Sequence, residues 1–194
     1  MQKSYLENFG YYKEKIPAAL YELLLQECLI CADREPVTSG LTEKGVATHY
    51  RLVDSAKPLN EYLASLVSRY EKDFPGLGRI GVLTKNVPYR IDKHWINHQK
   101  QNEFIPNHTH EGIYSFTIWI KIPELTYQSK YAGNFQFIYN NIIGNQCVKT
   151  LDVKKENEGE ILFFPSKLTH CVYPFTDCDE TRISISGNIL LDVG

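Results

Sequence analysis

The chain has 194 residues, a formal net charge of -2 and a pI near 6.3. It shows no basic excess of the kind that tracks phosphates and no apolar run long enough for a signal peptide or a bilayer span, so neither nucleic acid nor a membrane is indicated as a partner. We therefore expect an intracellular, cytoplasmic protein whose five scattered cysteines are reduced thiols.

The composition favours a single α+β domain that spans residues 1–194. A hydrophobic share of 43% is enough for one core, and an aromatic share of 12% with thirteen tyrosines favours β-rich packing. We expect a helical flank at residues 1–75 and a β core at residues 76–194.

The flank carries the helical pattern. Apolar side chains recur at three- and four-residue spacing in IPAALYELLLQECLICA and in LNEYLASLVSRYEKDF, and Pro17 and Pro58 stand where these helices open. The segment between them is expected to be a loop with one short strand.

After PGLGR the pattern changes to short β-rich runs separated by turn formers. Eight such runs without a helical pattern between them indicate an antiparallel sandwich or barrel, with the helices outside one sheet. The runs are IGVLT, YRIDKHWINHQ, YSFTIWIKI, NFQFIYN, CVKTLDV, EILFFP, HCVYPF and RISISGNILL.

Three of the six histidines fall in two short segments, PNHTHEG with His108 and His110, and KLTHCVYPF with His170. Residues two apart on a strand share a face, so His108 and His110 can direct both imidazoles to one point. Antiparallel pairing can bring His170 beside them. The trio predicts a metal site but does not choose among Zn, Cu, Fe and Ni.

Polar side chains on two strands are predicted to line the same pocket. Arg182 and Ser184 share a face of RISIS, and a guanidinium beside a hydroxyl is a good receptor for a carboxylate. Asn188 has the same parity as Arg182. Trp95 and Asn97 share a face of the strand before the first histidine pair. Trp95 and Asn188 are the expected substrate contacts.

The order of these motifs resembles that of the 2-oxoglutarate- and Fe(II)-dependent oxygenases: His-x-(acid or His), a strand ending in Phe-Pro-Ser, a distal His, and Arg-x-Ser in the last strand. The resemblance covers roughly residues 81–190. Most similar are small members, carried by bacteria and marine phages, whose motifs read His-x-His and Arg-Ile-Ser-Ile-Ser-x-Asn. It implies a double-stranded β-helix, a jelly-roll or cupin-like barrel, with N-terminal helices packed on the major sheet.

The resemblance also implies a chemistry. His170 would be a ligand to Fe(II), Arg182 and Ser184 would bind the distal carboxylate of 2-oxoglutarate, and Asn97 would hydrogen-bond its C1 carboxylate. The implied reaction is hydroxylation of a peptide side chain, an amino acid or a small metabolite, coupled to decarboxylation of 2-oxoglutarate to succinate. No catalytic residue beyond the metal centre is implied.

The chain departs from the family pattern at His110, because the usual triad has two histidines and one carboxylate. Glu111 is the nearest acid, but it has the wrong strand parity. Three interpretations stay open: an all-histidine site, a site with one histidine of the pair plus an acid or water, and loss of iron that leaves a non-catalytic barrel binding module. A cupin-like three-histidine metalloprotein that does not use 2-oxoglutarate is a further alternative.

The remaining histidines and the CxxC motif are expected to be structural. His49, His94 and His98 are interpreted as half-exposed packing residues, and Cys28 and Cys31 as core residues of the first helix. The long loop PELTYQSKYAG is either a lid or an ordinary solvated loop.

Overall fold

Two helices cover one face of a six-stranded antiparallel sheet, and a four-stranded sheet packs against its other face. The computed structural model describes residues 10–37, 46–74, 87–125 and 131–192. The elements are β1 (Tyr12–Lys15), α1 (Ala18–Ile30), β2 (Thr48–Arg51), α2 (Ala56–Asp73), β3 (Tyr89–Gln99), β4 (Ile105–His108), β5 (Tyr114–Lys121), β6 (Phe135–Asn140), β7 (Gln146–Leu151), β8 (Glu160–Pro165), β9 (Thr169–Val172) and β10 (Arg182–Leu191). The major sheet has the order β1-β8-β5-β10-β3-β2, and the minor sheet the order β4-β9-β6-β7.

Both predicted helices are confirmed. Each buries one stripe at helical spacing, with Leu20, Leu24 and Cys28 on α1, and Leu59 and Leu63 at the start of the stripe on α2. These stripes pack on the outer face of the major sheet. Within the described ranges, no helix combines the length and apolarity that a membrane crossing requires.

Alternation along the strands divides the apolar residues between two cores, and this confirms the predicted double-stranded β-helix. On β8, Ile161 and Phe163 pack under the helices, whereas Leu162 and Phe164 pack between the two sheets. On β10, Ile183 and Ile185 likewise belong to the helical side. The alternate side chains of β10, which include Arg182 and Ser184, therefore face the space between the sheets, where the site lies.

The N-terminal flank contributes strands as well as helices. β1 pairs with β8 at one edge of the major sheet and β2 pairs with β3 at the other. β1 was not predicted, because its sequence YKEK has no apolar alternation and the strand depends on its partner. The predicted strand IGVLT and residues 126–130 of PELTYQSKYAG lie outside the described residues, and the single-domain extent stays a prediction.

A buried carboxylate fastens α1 to the start of α2. Glu27 accepts hydrogen bonds from the backbone N–H groups of Val53, Asp54 and Ser55, at 2.6, 3.1 and 2.7 Å, and from the Ser55 hydroxyl at 2.6 Å. Arg34 adds an ion pair at 2.7 Å. Burial alone would raise the pKa of Glu27, but the bonds from Ser55, Arg34 and the backbone lower it to about 2. The Glu27 side chain is therefore ionised in the folded protein at neutral pH.

Candidate metal and carboxylate site

The three predicted histidines converge at one end of the space between the sheets. His108, the last residue of β4, is the cross-strand partner of His170 on β9, and their ring centroids are 4.3 Å apart. The His110 ring lies 4.7 Å from that of His108 and 5.0 Å from that of His170. One nitrogen from each ring lies within 4.8 Å of the others, so the trio can hold one metal ion.

Backbone carbonyls determine which ring nitrogens are free to bind metal. Nδ1 of His108 is 2.7 Å from the carbonyl oxygen of Pro106, and Nδ1 of His170 is 2.8 Å from that of Leu168. A carbonyl only accepts, so each Nδ1 carries the proton and each Nε2 presents its lone pair. Nε2 of His108 and Nε2 of His110 are 3.2 Å apart, close to the roughly 3 Å expected of two nitrogens bound at right angles to one ion at about 2.0–2.1 Å.

Burial keeps these imidazoles neutral. It is the main cause that lowers the pKa of His170 to about 3 and that of His110 to about 4, and the neighbouring His108 lowers both further. Glu111, the nearest acid in sequence, is 84% exposed and lies 3.9 Å from Lys93. Among the residues that the structure describes, the metal-binding group contains histidines alone, which favours the all-histidine interpretation.

His110 is not on a strand, which corrects the prediction that His108 and His110 share one. β4 ends at His108, and the turn between β8 and β9 holds His110 instead. The His110 N–H donates to the carbonyl of Ser166 at 2.9 Å, and Nζ of Lys167 donates to the carbonyl of His110 at 3.1 Å. Gly112 then turns the chain into β5 at a φ of +90°, where a Cβ would meet the carbonyl oxygen of Ile189 at 2.6 Å.

Arg182 lines the same cavity as the three histidines, as predicted, although it is only 4% exposed. Its Nη1 donates to the carbonyl of Gly133. No carboxylate of the described residues lies within ion-pair distance of the guanidinium. Burial lowers the pKa of Arg182 to about 10, so it is still charged at neutral pH. A buried cation without a carboxylate partner is a strong receptor for an anionic ligand.

A ladder of hydrogen bonds connects the other predicted pocket residues. Nε1 of Trp95 donates to Oδ1 of Asn97 at 3.0 Å, while Nδ2 of Asn97 donates to Ser184 Oγ at 3.2 Å and to Ser186 Oγ at 3.0 Å. Since an indole N–H can only donate, it determines the orientation of the Asn97 amide. Ser184 therefore accepts a bond from Asn97 and has its own proton available for another acceptor.

Two residues lie elsewhere than the sequence predicted. Asn188 does not line this cavity; its Oδ1 accepts a bond from the Ser115 hydroxyl at 2.8 Å in the buried interior. His49, interpreted as half-exposed, is 5% exposed and does line the cavity. It lies on β2 directly opposite Asn97 of β3, a pairing that no local pattern signals. Cys28 and Cys31 are fully buried, as expected.

Comparisons with known proteins agree with this geometry. Residues 93–188 match the model of a family described as "Putative 2OG-Fe(II) oxygenase". None of the curated proteins matches the chain.

Many solved structures share its fold, and three of them illustrate the likeness. A Pseudomonas putida prolyl-4-hydroxylase is 17% identical, with 92% of this chain and 91% of that chain covered and a TM-score of 0.58. The non-heme alpha ketoglutarate dependent epimerase SnoN from nogalamycin biosynthesis is 15% identical, with 94% and 78% covered and a TM-score of 0.63. HygX from Streptomyces hygroscopicus, solved with nickel and 2-oxoglutarate bound, is 11% identical, with 95% and 84% covered and a TM-score of 0.58. Residues 93–188 are thus similar in sequence to the 2-oxoglutarate- and Fe(II)-dependent oxygenases, and the chain shares the fold of these solved structures.

Proposed function

We propose that the chain is an Fe(II)- and 2-oxoglutarate-dependent dioxygenase that hydroxylates a C–H bond of a small-molecule or peptide substrate. One observation carries this proposal: three neutral imidazoles and a buried guanidinium line one cavity between the two sheets. The first group suits a divalent transition metal and the second a carboxylate. That HygX binds nickel and 2-oxoglutarate on the same fold supports the pairing.

The histidines hold the metal in this proposal. When bound, Fe(II) and 2-oxoglutarate together consume dioxygen, convert 2-oxoglutarate to succinate and carbon dioxide, and transfer one oxygen atom to the substrate. His108 and His170 present Nε2 because their Nδ1 protons are engaged by carbonyls. His110 contributes the third nitrogen, at the position where the family usually has a carboxylate.

Arg182 and Ser184 bind the distal carboxylate of 2-oxoglutarate. The guanidinium offers N–H donors beyond the one given to Gly133, and Ser184 offers the hydroxyl proton that Asn97 leaves available. Because both amide groups of Asn97 are engaged, its role in binding 2-oxoglutarate is to orient Ser184. This differs from the direct bond to the C1 carboxylate that the resemblance suggested.

Aromatic side chains form the apolar part of the cavity lining. Trp119, Phe135 and Phe164 line it from the core between the sheets, and the Phe135 ring stacks on that of His170 at 5.4 Å. Trp95, whose ring is 5.6 Å from that of His110, is the proposed substrate contact. An apolar wall around charged groups excludes water and strengthens their interactions with a ligand.

A three-histidine metalloprotein that does not use 2-oxoglutarate is the second candidate, and the all-histidine donor set favours it. Arg182 argues against it. Burying a guanidinium without a carboxylate costs free energy, and a site that receives no anion gains nothing in return.

Anaerobic titration of the purified chain with Fe(II), then with 2-oxoglutarate, followed by addition of oxygen tests the proposal. We expect one iron per chain at micromolar concentration, a change of its absorption spectrum on adding 2-oxoglutarate, and succinate in excess of that formed by His170→Ala. His98→Gln, outside the trio, is the matched control and should behave as the wild type. Iron uptake without a response to 2-oxoglutarate would favour the second candidate, and absence of iron uptake would favour a non-catalytic module.

A further inference from the structure

A chain of buried hydrogen bonds leads from β10 to the turn that holds His110. Oδ1 of Asn188 accepts from the hydroxyl of Ser115 at 2.8 Å, and Oγ of Ser115 is 2.8 Å from Oγ of Ser166. The carbonyl of Ser166 then accepts the N–H of His110 at 2.9 Å. Residues from two strands and one turn thus connect to the backbone of a candidate ligand.

The directions of these bonds follow from the number of protons available. Ser115 has one hydroxyl proton and gives it to Oδ1 of Asn188, so it must accept from the hydroxyl of Ser166. Ser166 is also held by its N–H, which donates to the carbonyl of Ile113 at 2.9 Å. Its amide, hydroxyl and carbonyl groups are all engaged, so the carbonyl that receives His110 is held in a defined place.

The hydrogen bonds of this network are buried, so water cannot replace a lost partner. Ser115 and Ser166 have no exposed surface, and Asn188 is 8% exposed. Removing one hydroxyl there leaves its partners without a hydrogen bond and without water, which destabilises the arrangement more than loss of an exposed bond would.

His110 needs such support because it lies beyond the end of β4. His108 and His170 are held by strand pairing, whereas the hydrogen bonds that hold the backbone of His110 come from the turn. We propose that Asn188, Ser115 and Ser166 are positioning residues that hold the backbone of His110, and thereby its imidazole, at the metal centre. This inference rests on the proposed function, and it assigns Asn188 a positioning role in place of substrate contact.

Ni(II) affinity of the full chain, measured by competition with a chelator, tests the proposal without turnover. We expect Ser115→Ala to weaken Ni(II) binding about ten- to hundredfold, as is usual for partners that orient a ligand. Asn188→Asp keeps an oxygen acceptor for Ser115 and should restore most of the affinity that Asn188→Leu loses. Ser55→Ala is the matched control, because it removes another buried hydroxyl, at a residue that is 4% exposed and bonds to Glu27 in the helical layer. It should lower stability and leave Ni(II) affinity unchanged.

A second set of variants, made in the His110→Ala background, shows whether Ser115 affects Ni(II) affinity through His110. We expect Ser115→Ala to cause no further loss of Ni(II) affinity there, and to alter the absorption spectrum of bound Co(II) only when His110 is present. Wild-type affinity in Ser115→Ala, or an equal loss in the His110→Ala background, would overturn the proposal. Tight Ni(II) binding without any effect of 2-oxoglutarate would instead contradict the proposed function and leave the positioning network standing.

Discussion

His108 and His170 face each other directly across the antiparallel pair β4–β9. In the same two strands Ile105 lies opposite Val172. From that pair to the histidine pair, β4 advances by three residues but β9 by only two, so the register shifts by one residue. A bulge in β4 accounts for the extra residue. Without it, Asn107 would lie opposite His170. The bulge thus turns His108 towards the cavity and completes the first half of the metal site.

Replacing Arg182 should separate binding of 2-oxoglutarate from binding of metal. In Arg182→Met we expect at least about hundredfold weaker binding of 2-oxoglutarate, since charge-assisted hydrogen bonds contribute about 1.5–3 kcal/mol each. Ni(II) affinity should be unchanged, and the ligand-free protein should lose little stability, because a buried cation without a carboxylate is removed. Calorimetric titration measures both affinities. Arg69→Met, which removes an arginine paired with Glu14 at the surface, is the control; equal 2-oxoglutarate affinities in the two variants would contradict the role of Arg182.

A double-mutant cycle tests whether Asn97 acts through Ser184. Trp95→Phe keeps an aromatic ring but removes the N–H that orients the Asn97 amide, so the amide can rotate and accept the Ser184 proton. We expect a loss of 2-oxoglutarate affinity of about fivefold, corresponding to about 1 kcal/mol for one hydrogen bond. In the Ser184→Ala background the same change should have no effect. Independent, additive losses would show that Trp95 acts by another route.

Two glycines with positive φ give a matched test of the turn after His110. Gly144→Ala, at a φ of +84° with nothing within 4 Å of the added carbon, should cost about 1 kcal/mol of unfolding free energy from backbone strain alone. Gly112→Ala adds a collision with the backbone of β10 and should cost clearly more. It should also weaken Ni(II) binding, because Gly112 follows His110 by two residues. Urea unfolding and Ni(II) titration measure these effects; similar results for both variants would mean that the turn tolerates displacement.

Acid should destabilise the protein through Glu27. The folded-state pKa of about 2 lies below the ordinary value of 4.5, so the stabilising contribution is complete above about pH 4.5 and is lost as the pH falls towards 2. The two pKa values correspond to about 3 kcal/mol. Glu27→Gln should therefore be less stable at pH 7 and lose less stability between pH 5 and pH 2, as measured by urea unfolding at each pH. Glu22→Gln, an exposed position on the same helix, should follow the wild-type profile. Parallel pH profiles for Glu27→Gln and the wild type would contradict this assignment.

The sequence by itself determined the parts of the structure that depend on local periodicity. The spacing of leucines identified α1 and α2, and the alternation in RISIS placed Arg182 and Ser184 on the face opposite Ile183 and Ile185. Both patterns arise because one face of each element must be buried, and the spacing of side chains along a helix or a strand shows which face that is.

Only the tertiary structure decided which of the polar residues meet. His49 reaches the cavity because an edge strand pairs with β3, and His110 because a turn more than fifty residues later holds its backbone. Asn188 lies on the same side of β10 as the pocket residues Arg182 and Ser184, yet its side chain accepts a hydrogen bond from Ser115, which in turn is bonded to Ser166. Strand pairing, bulges and buried hydrogen bonds join residues that are far apart in the chain, so the physical reason for these positions lies in partners that local spacing cannot specify.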